Sequence, residues 1–260
     1  MISENLEKSI EASLQAGKSI RHIYERGFAS KLKDDQTPVT EADLISNQII
    51  NDMLGKLNYP IISEEGIKID YKIRKEFNYL WIVDPLDGTK EFINKTNDFT
   101  VNIALIENHI PILGVVYAPA SKELYFAEKG YGSFKIEAIE NFKDFKNLKH
   151  INLLDCSPPI DYTIVVSRSH LNQETTDYVS EKKQIFENIT LKKFGSSLKI
   201  CKVAEGKANC YPRLGPTMEW DTAAAHAVVK YSGKSLLKFN STDELTYNKE
   251  SLLNPFFVAE

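Results

Sequence analysis

The sequence predicts a mixed fold, α+β over residues 1–150 and α/β over residues 151–260. Three observations carry this. Two amphipathic helical stretches open the chain. Apolar runs separated by tight-turn residues follow, the mark of hairpins. Beyond about residue 160, short apolar runs alternate with helical patterns, the mark of strands joined by helices.

Leu6, Ile10, Leu14, Ile20 and Ile23 recur near helical spacing, and Gly27 ends that helix. A second helix starts near Thr40, with Leu44, Ile45, Ile49, Met53, Leu54 and Leu57 on its apolar face. Pro60-Ile61-Ile62 reads as a short strand leading into Ser63-Glu64-Glu65. Tyr79 to Val83 reads as a buried strand that stops at Asp84-Pro85. Phe99–Ile106 and Ile110–Tyr117 form one expected hairpin around Glu107-Asn108-His109. Leu124–Ala127 and Ser133–Ile136 form a second around Gly130 and Gly132. Residues 137–150 are charged and weakly patterned, and serve as a connector. Strands are expected at Tyr162–Val166, Leu191–Phe194, Ala208–Tyr211 and Pro255–Ala259, and helices at Asn172–Ser180, Ser197–Glu205 and Thr222–Tyr231.

Composition narrows the function. The chain has 260 residues, 42% of them apolar and 26% charged, ordinary values for a soluble globular protein. A net charge of −4 argues against a nucleic-acid partner, which would call for a basic excess. It does not argue against a phosphorylated substrate, because bound metals supply positive charge locally. Cys156, Cys201 and Cys210 lack metal-ligand spacing and read as reduced, semi-buried thiols of a cytosolic protein. Residues 1–26 carry scattered charges and no secretory apolar core, and no run approaches a membrane span. The expected location is the cytoplasm, with peripheral attachment to the cytoplasmic face of the inner membrane left open.

The chemistry concentrates in Trp81-Ile82-Val83-Asp84-Pro85-Leu86-Asp87-Gly88-Thr89. An apolar strand delivers two carboxylates to its C-terminal end, where open sheets place ligands. Pro85 fixes φ and Gly88 permits a sharp turn. Carboxylates three residues apart can converge on hard cations, with the Leu86 carbonyl between them as a further oxygen ligand. Gly88-Thr89 can open a short helix whose N–H groups suit a phosphate. Pro85 and Leu86 break the alternate acidic positions of an EF-hand loop. The three-residue spacing also departs from the haloacid dehalogenase phosphatases, whose second Asp follows the first by two.

These residues resemble the inositol monophosphatase superfamily of magnesium-dependent, lithium-sensitive phosphatases. Asp84-Pro85-Leu86-Asp87-Gly88-Thr89 is similar to its first signature and Trp220-Asp221-Thr222-Ala223-Ala224 to its second. The continuation Lys90-Glu91-Phe92-Ile93, then Phe99 to Ile103, resembles the CysQ-type 3′(2′),5′-bisphosphate nucleotidases within it. The resemblance spans essentially the whole chain. It implies a layered αβαβα sandwich of the inositol monophosphatase/fructose-1,6-bisphosphatase type, with residues 1–150 as the metal-binding domain and 151–260 as the substrate-pocket domain.

The resemblance also implies roles. Glu64, Asp84, the Leu86 carbonyl, Asp87 and Asp221 would hold two Mg2+ ions, with Glu65 beside a weaker third. Thr89 and Asp43 would orient the attacking water, together with Glu64. Gly88 and Thr89, with Glu64, Leu86, Asp87 and Asp221, would border the phosphate. His170, Ser196, Ser197, Lys199 and Arg213 would contact the nucleotide. Several of these positions have structural readings too. Thr40-Glu41-Ala42-Asp43 is a capping box, Asp221 reads as a helix N-cap, and Ser196-Ser197 precedes a helix.

The activity implied is hydrolysis of adenosine 3′,5′-bisphosphate to AMP and phosphate by two-metal activation of water, without a covalent phosphoenzyme. An inositol monophosphatase or broad sugar-phosphate phosphatase is the alternative. A metal-binding protein without activity is a third reading, which the intact set Asp43, Glu64, Asp84, Asp87, Thr89 and Asp221 opposes.

Overall fold

The structure, a computed structural model, describes residues 2–32, 38–168 and 172–260. In chain order the elements are α1 (Glu4–Arg26), β1 (Ser30–Leu32), β2 (Pro38–Thr40), α2 (Glu41–Leu54), β3 (Ile61–Ser63), α3 (Tyr71–Arg74), β4 (Tyr79–Asp87), α4 (Thr89–Ile93), β5 (Thr100–Glu107), β6 (Ile110–Ala118), β7 (Glu123–Glu128), β8 (Gly132–Ile136) and β9 (Ile151–Asn152). There follow β10 (Tyr162–Ser167), α5 (Gln173–Ile185), β11 (Ile189–Phe194), α6 (Leu198–Ala204), β12 (Tyr211–Arg213), α7 (Glu219–Lys230), β13 (Leu236–Lys238) and β14 (Phe257–Ala259).

Strands β3 to β9 form one sheet in sequential order. Only β3 and β4 run parallel; the rest pair antiparallel, as hairpins between neighbouring segments require. Alternation along β4 separates two apolar layers. Trp81 and Val83 face α1 and α2, where Leu6, Ile10, Ile20, Ile50 and Leu54 are buried. Leu80 and Ile82 face α6 and α7, against Val203, Ala224 and Val228. On the far side of α6 and α7 lie β10 with its parallel partner β11, and β12, β14 and β13 in antiparallel order. A bridge from Ile164 to Cys210 joins the two groups of strands. Tyr178 and Val179 of α5 cover the outer face. The sequence of layers is therefore α, β, α, β, α, as expected.

The structure corrects several boundaries. β4 does not stop at Asp84 but runs on to Asp87. Pro85 has no N–H to offer β5, so the register shifts between Asp84 and Asp87 and resumes at Asp87 opposite Thr100. The strand expected at Ala208–Tyr211 lies instead at Tyr211–Arg213, where β14 supplies its partner. α7 starts at Glu219, three residues early, and α5 extends to Ile185. The β1–β2 pair and β13 had no sequence signal. No helix among the described residues is long and apolar enough to cross a membrane.

Candidate active site

Three carboxylates meet where β4 leaves the sheet. Asp84, Asp87 and Asp221, the last from the first turn of α7, each bring an oxygen within 4.8 Å of the others. Each commits its other bonding to backbone or amide donors. Asp84 Oδ1 accepts the Leu86 N–H at 3.0 Å and Asp221 Oδ2 accepts the Met218 N–H at 2.8 Å. Asp87 Oδ2 accepts the Ser197 N–H at 2.5 Å and the Asn102 amide at 3.3 Å. Asp84 Oδ2, Asp87 Oδ1 and Asp221 Oδ1 meet no donor among the described residues. Asp221 is thus not an N-cap: it sits three residues inside, where an acid also favours the positive end of a helix.

Burial raises the proton affinity of all three acids, and neighbouring negative charges add to it. For Asp84 the causes are burial, then the charges of Glu64, Asp87 and Asp221. For Asp221 they are burial and Asp87, partly offset by the Met218 N–H. Burial raises Asp87 as well, against the pull of Lys199 and the Ser197 N–H. An anionic, all-oxygen donor set this compact fits a hard divalent cation such as Mg2+, whose charge would remove the penalty. Glu64 lines the same cavity of about 270 Å³ but is outside the convergent trio.

Asp43 closes the capping box of α2 and also bonds Thr89. Its Oδ2 accepts the Thr40 N–H and hydroxyl, each at 2.7 Å, while Thr40 Oγ1 caps Ala42. Its Oδ1 accepts the Thr89 hydroxyl at 3.1 Å. The Leu86 carbonyl lies 3.3 Å from that same hydroxyl. Burial raises the Asp43 carboxyl above its ordinary range, although the bonds from Thr40 and Thr89 oppose it. Ser46 of α2 donates to the Pro85 carbonyl at 2.7 Å and so ties this helix to the acidic turn. Glu65 adds negative charge near Asp43.

The C-terminal half supplies further lining. Ser196, Ser197, Lys199 and Arg213 line the cavity with Gly88, Thr89, Tyr211 and Phe257. Lys199 is buried, donates to the Ser196 carbonyl at 2.6 Å, and is pushed down to about 8 by burial despite the pull of Asp87. Arg213 donates Nη2 to the Pro216 carbonyl at 2.9 Å, while its Nε is buried without a partner among the described residues. In the segment before α6, the Gly195 N–H donates to Asp98 and the Ser197 N–H to Asp87. The Ser197 hydroxyl donates to Asn102 at 2.8 Å. His170 lies outside the described residues. Sequence reasoning missed Asn102 and Asp98. An amide inside the apolar run Thr100 to Ile106 was the one available signal for Asn102, since a buried amide needs partners.

Comparison with known proteins places this geometry. A 3′(2′),5′-bisphosphate nucleotidase CysQ of Salmonella typhimurium is 40% identical over 256 residues, covering 97% of this chain and 98% of that protein. The CysQ of Buchnera aphidicola is 41% identical over 261 residues, covering 98% and 92%. The crystal structure of CysQ from Bacteroides thetaiotaomicron, described as a bacterial member of the inositol monophosphatase family, superposes with a TM-score of 0.89 at 43% identity, covering 98% of this chain and 96% of that one. The model of the inositol monophosphatase family matches residues 2–255, and the chain belongs to that family.

Proposed function

We propose that the protein is a magnesium-dependent 3′(2′),5′-bisphosphate nucleotidase that hydrolyses adenosine 3′,5′-bisphosphate to AMP and phosphate. The observation that carries this is one cavity lined by both acids and cations. Asp87 and Asp221, which meet Asp84, share its lining with Lys199 and Arg213. The near full-length identity to proteins named for this activity supports the same reading.

Glu64, Asp84, the Leu86 carbonyl, Asp87 and Asp221 would hold two Mg2+ ions, which supply the positive charge that a phosphate dianion and its departing oxygen require. Thr89 donates its hydroxyl hydrogen bond to Asp43, so the lone pairs of its oxygen remain to accept a hydrogen from water. Asp43, with its raised proton affinity, is suited to receive that proton through Thr89. Water then adds to phosphorus as its proton passes to Asp43, the P–O3′ bond breaks, and the leaving oxygen takes a proton from solvent to become the 3′-hydroxyl, while Asp43 returns its own to solvent. Lys199 and Arg213 hold the second phosphate, and Tyr211 and Phe257 offer apolar surface to the nucleoside.

Phosphate release tests the reading directly. With saturating magnesium, adenosine 3′,5′-bisphosphate is expected to turn over well above inositol 1-phosphate, with inhibition by lithium. A clear preference for the inositol ester would move the protein to the inositol monophosphatases proper. No release from any monoester would leave a binding protein.

A further inference from the structure

We propose that Asp98 is a positioning residue that aims the metal-binding carboxylate of Asp87 by holding the Gly195–Ser197 segment in place; the inference rests on the metal-dependent reading above. Asp98 belongs to the turn before β5, whereas its partners belong to the C-terminal half. One oxygen, Oδ2, accepts three N–H groups: Gly195 N at 2.9 Å, Arg168 Nε at 3.2 Å and Arg168 Nη2 at 2.8 Å. Arg168 is fixed in turn by β11, through its own N–H to the Phe194 carbonyl and its Nη2 to the Lys193 carbonyl. A charge-assisted bond of this kind is shorter and stronger than a neutral one.

The segment held this way has no slack. A Cβ on Gly195 would lie 2.7 Å from both Asp98 Cβ and Glu91 Cγ. A Cβ on Gly88, at φ 90°, would lie 3.0 Å from the Asp98 carbonyl oxygen and 3.4 Å from Ser196 Cβ. Ser196 stands at φ 48°, a left-handed conformation that a serine keeps only when its neighbours enforce it. Two residues after the Asp98 contact, Ser197 directs its N–H at Asp87 Oδ2. Its hydroxyl meanwhile orients Asn102, the second donor to that same oxygen. Both groups that fix the Asp87 carboxylate therefore depend on where Gly195 is pinned. The carboxylate fixed in this way is the one that meets Asp84 and Asp221.

The direct measurement is calorimetric titration of wild-type protein and variants with magnesium alone, free of substrate. Loss of groups that orient a metal ligand typically weakens metal affinity about 10- to 100-fold. Asp98→Ala is expected to raise the magnesium dissociation constant within that range. Asp98→Asn keeps an acceptor for Gly195 and should fall between it and wild type. Arg168→Ala should shift the constant less than Asp98→Ala, because the Gly195 bond survives. In turnover, the Asp98 defect should be recovered in part by raising magnesium, while KM for the ester at saturating magnesium stays near wild type.

A merely structural Asp98 would instead lower the melting temperature and leave the magnesium constant unchanged; that result overturns the proposal. If Asp98→Ala fails to fold, Asp98→Asn and Arg168→Ala decide by the same criterion. Absence of magnesium uptake by the wild type would sink the metal-dependent reading and this inference together. Equal uptake by wild type and variants would sink the inference alone.

Discussion

The short helix α6 separates two groups of buried charges that obey opposite rules. Ahead of its first turn stand Asp84, Asp87 and Asp221, three like charges. At its far end, Lys202 and Glu205 join Glu123 and Lys135 from β7 and β8. Lys135 Nζ lies 2.9 Å from Glu205 and also pairs with Glu123, and Lys202 Nζ lies 2.7 Å from Glu205 and 3.4 Å from Glu123. Tyr125 closes the group, donating to Glu205 at 3.0 Å and accepting from Lys202 at 2.8 Å. The second cluster is complete within the polypeptide: its carboxylates are pulled down and Lys135 is pushed up, even though burial acts against both. The first is not, and its acids are all pushed up. Burial alone does not make a site; burial with an unbalanced charge does.

The strongest way to break this comparison is to neutralise one member of each cluster. Asp84→Asn removes an uncompensated charge, so the metal-free fold should be as stable as wild type or more so. Turnover should nevertheless fall by at least roughly 1,000-fold, the scale seen when charge stabilisation of a reacting group is lost. Phosphate release and thermal unfolding without magnesium measure the two halves. Near-normal turnover would refute a metal role for Asp84.

Glu205→Ala should do the reverse. It leaves Lys135 and Lys202 buried without their central partner, a loss of about 3–5 kcal/mol. For a chain of this size that corresponds to a melting temperature lower by roughly 10 °C. Magnesium affinity should stay within about 2-fold of wild type, since the lost carboxylate belongs to the other cluster. A variant that loses magnesium along with stability would show that α6 transmits strain from one cluster to the other.

How much of this was legible in the sequence differs between the two clusters for a physical reason. The acidic site announces itself because its ligands need a special backbone: an apolar strand, Pro85 to interrupt the ladder and Gly88 to turn. Asp43 was legible because a capping box is a local pattern, and Asp221 because Trp220 before it and the small residues after it resemble the family's second signature. Glu123, Lys135, Lys202 and Glu205 carry no such mark. In one dimension they are charged residues on separate segments, and only the tertiary approach of the end of α6 to β7 and β8 brings them together. The bonds from Asp98 to Gly195 and from Asp87 to Ser197 span 97 and 110 residues, so no local window holds both partners. β12 and β13 are three residues long, and tertiary pairing sets their limits where propensity does not.

Acid titration sharpens the comparison at the smallest scale. Burial pushes the Glu205 carboxyl upward, but Lys202 and Lys135 outweigh it and draw it down to about 2 from an ordinary 4.5. A carboxyl with a lowered value in the folded state stabilises that state in full only above its unfolded value. That contribution is then lost as pH falls from about 4.5 toward about 2. At pH 3 the loss should reach about 2 kcal/mol. The stability gap between wild type and Glu205→Ala, measured by urea unfolding without magnesium, should therefore be widest near neutrality and narrow by that amount at pH 3. The subtraction cancels the carboxylates remote from Glu205, the acidic trio included, but not Glu123, which shares Lys135 and Lys202 with it. A gap that stays constant from pH 7 to pH 3 would mean that Glu205 is not held ionised by its lysines, and the contrast between a self-balanced cluster and an unbalanced one would lose its electrostatic basis.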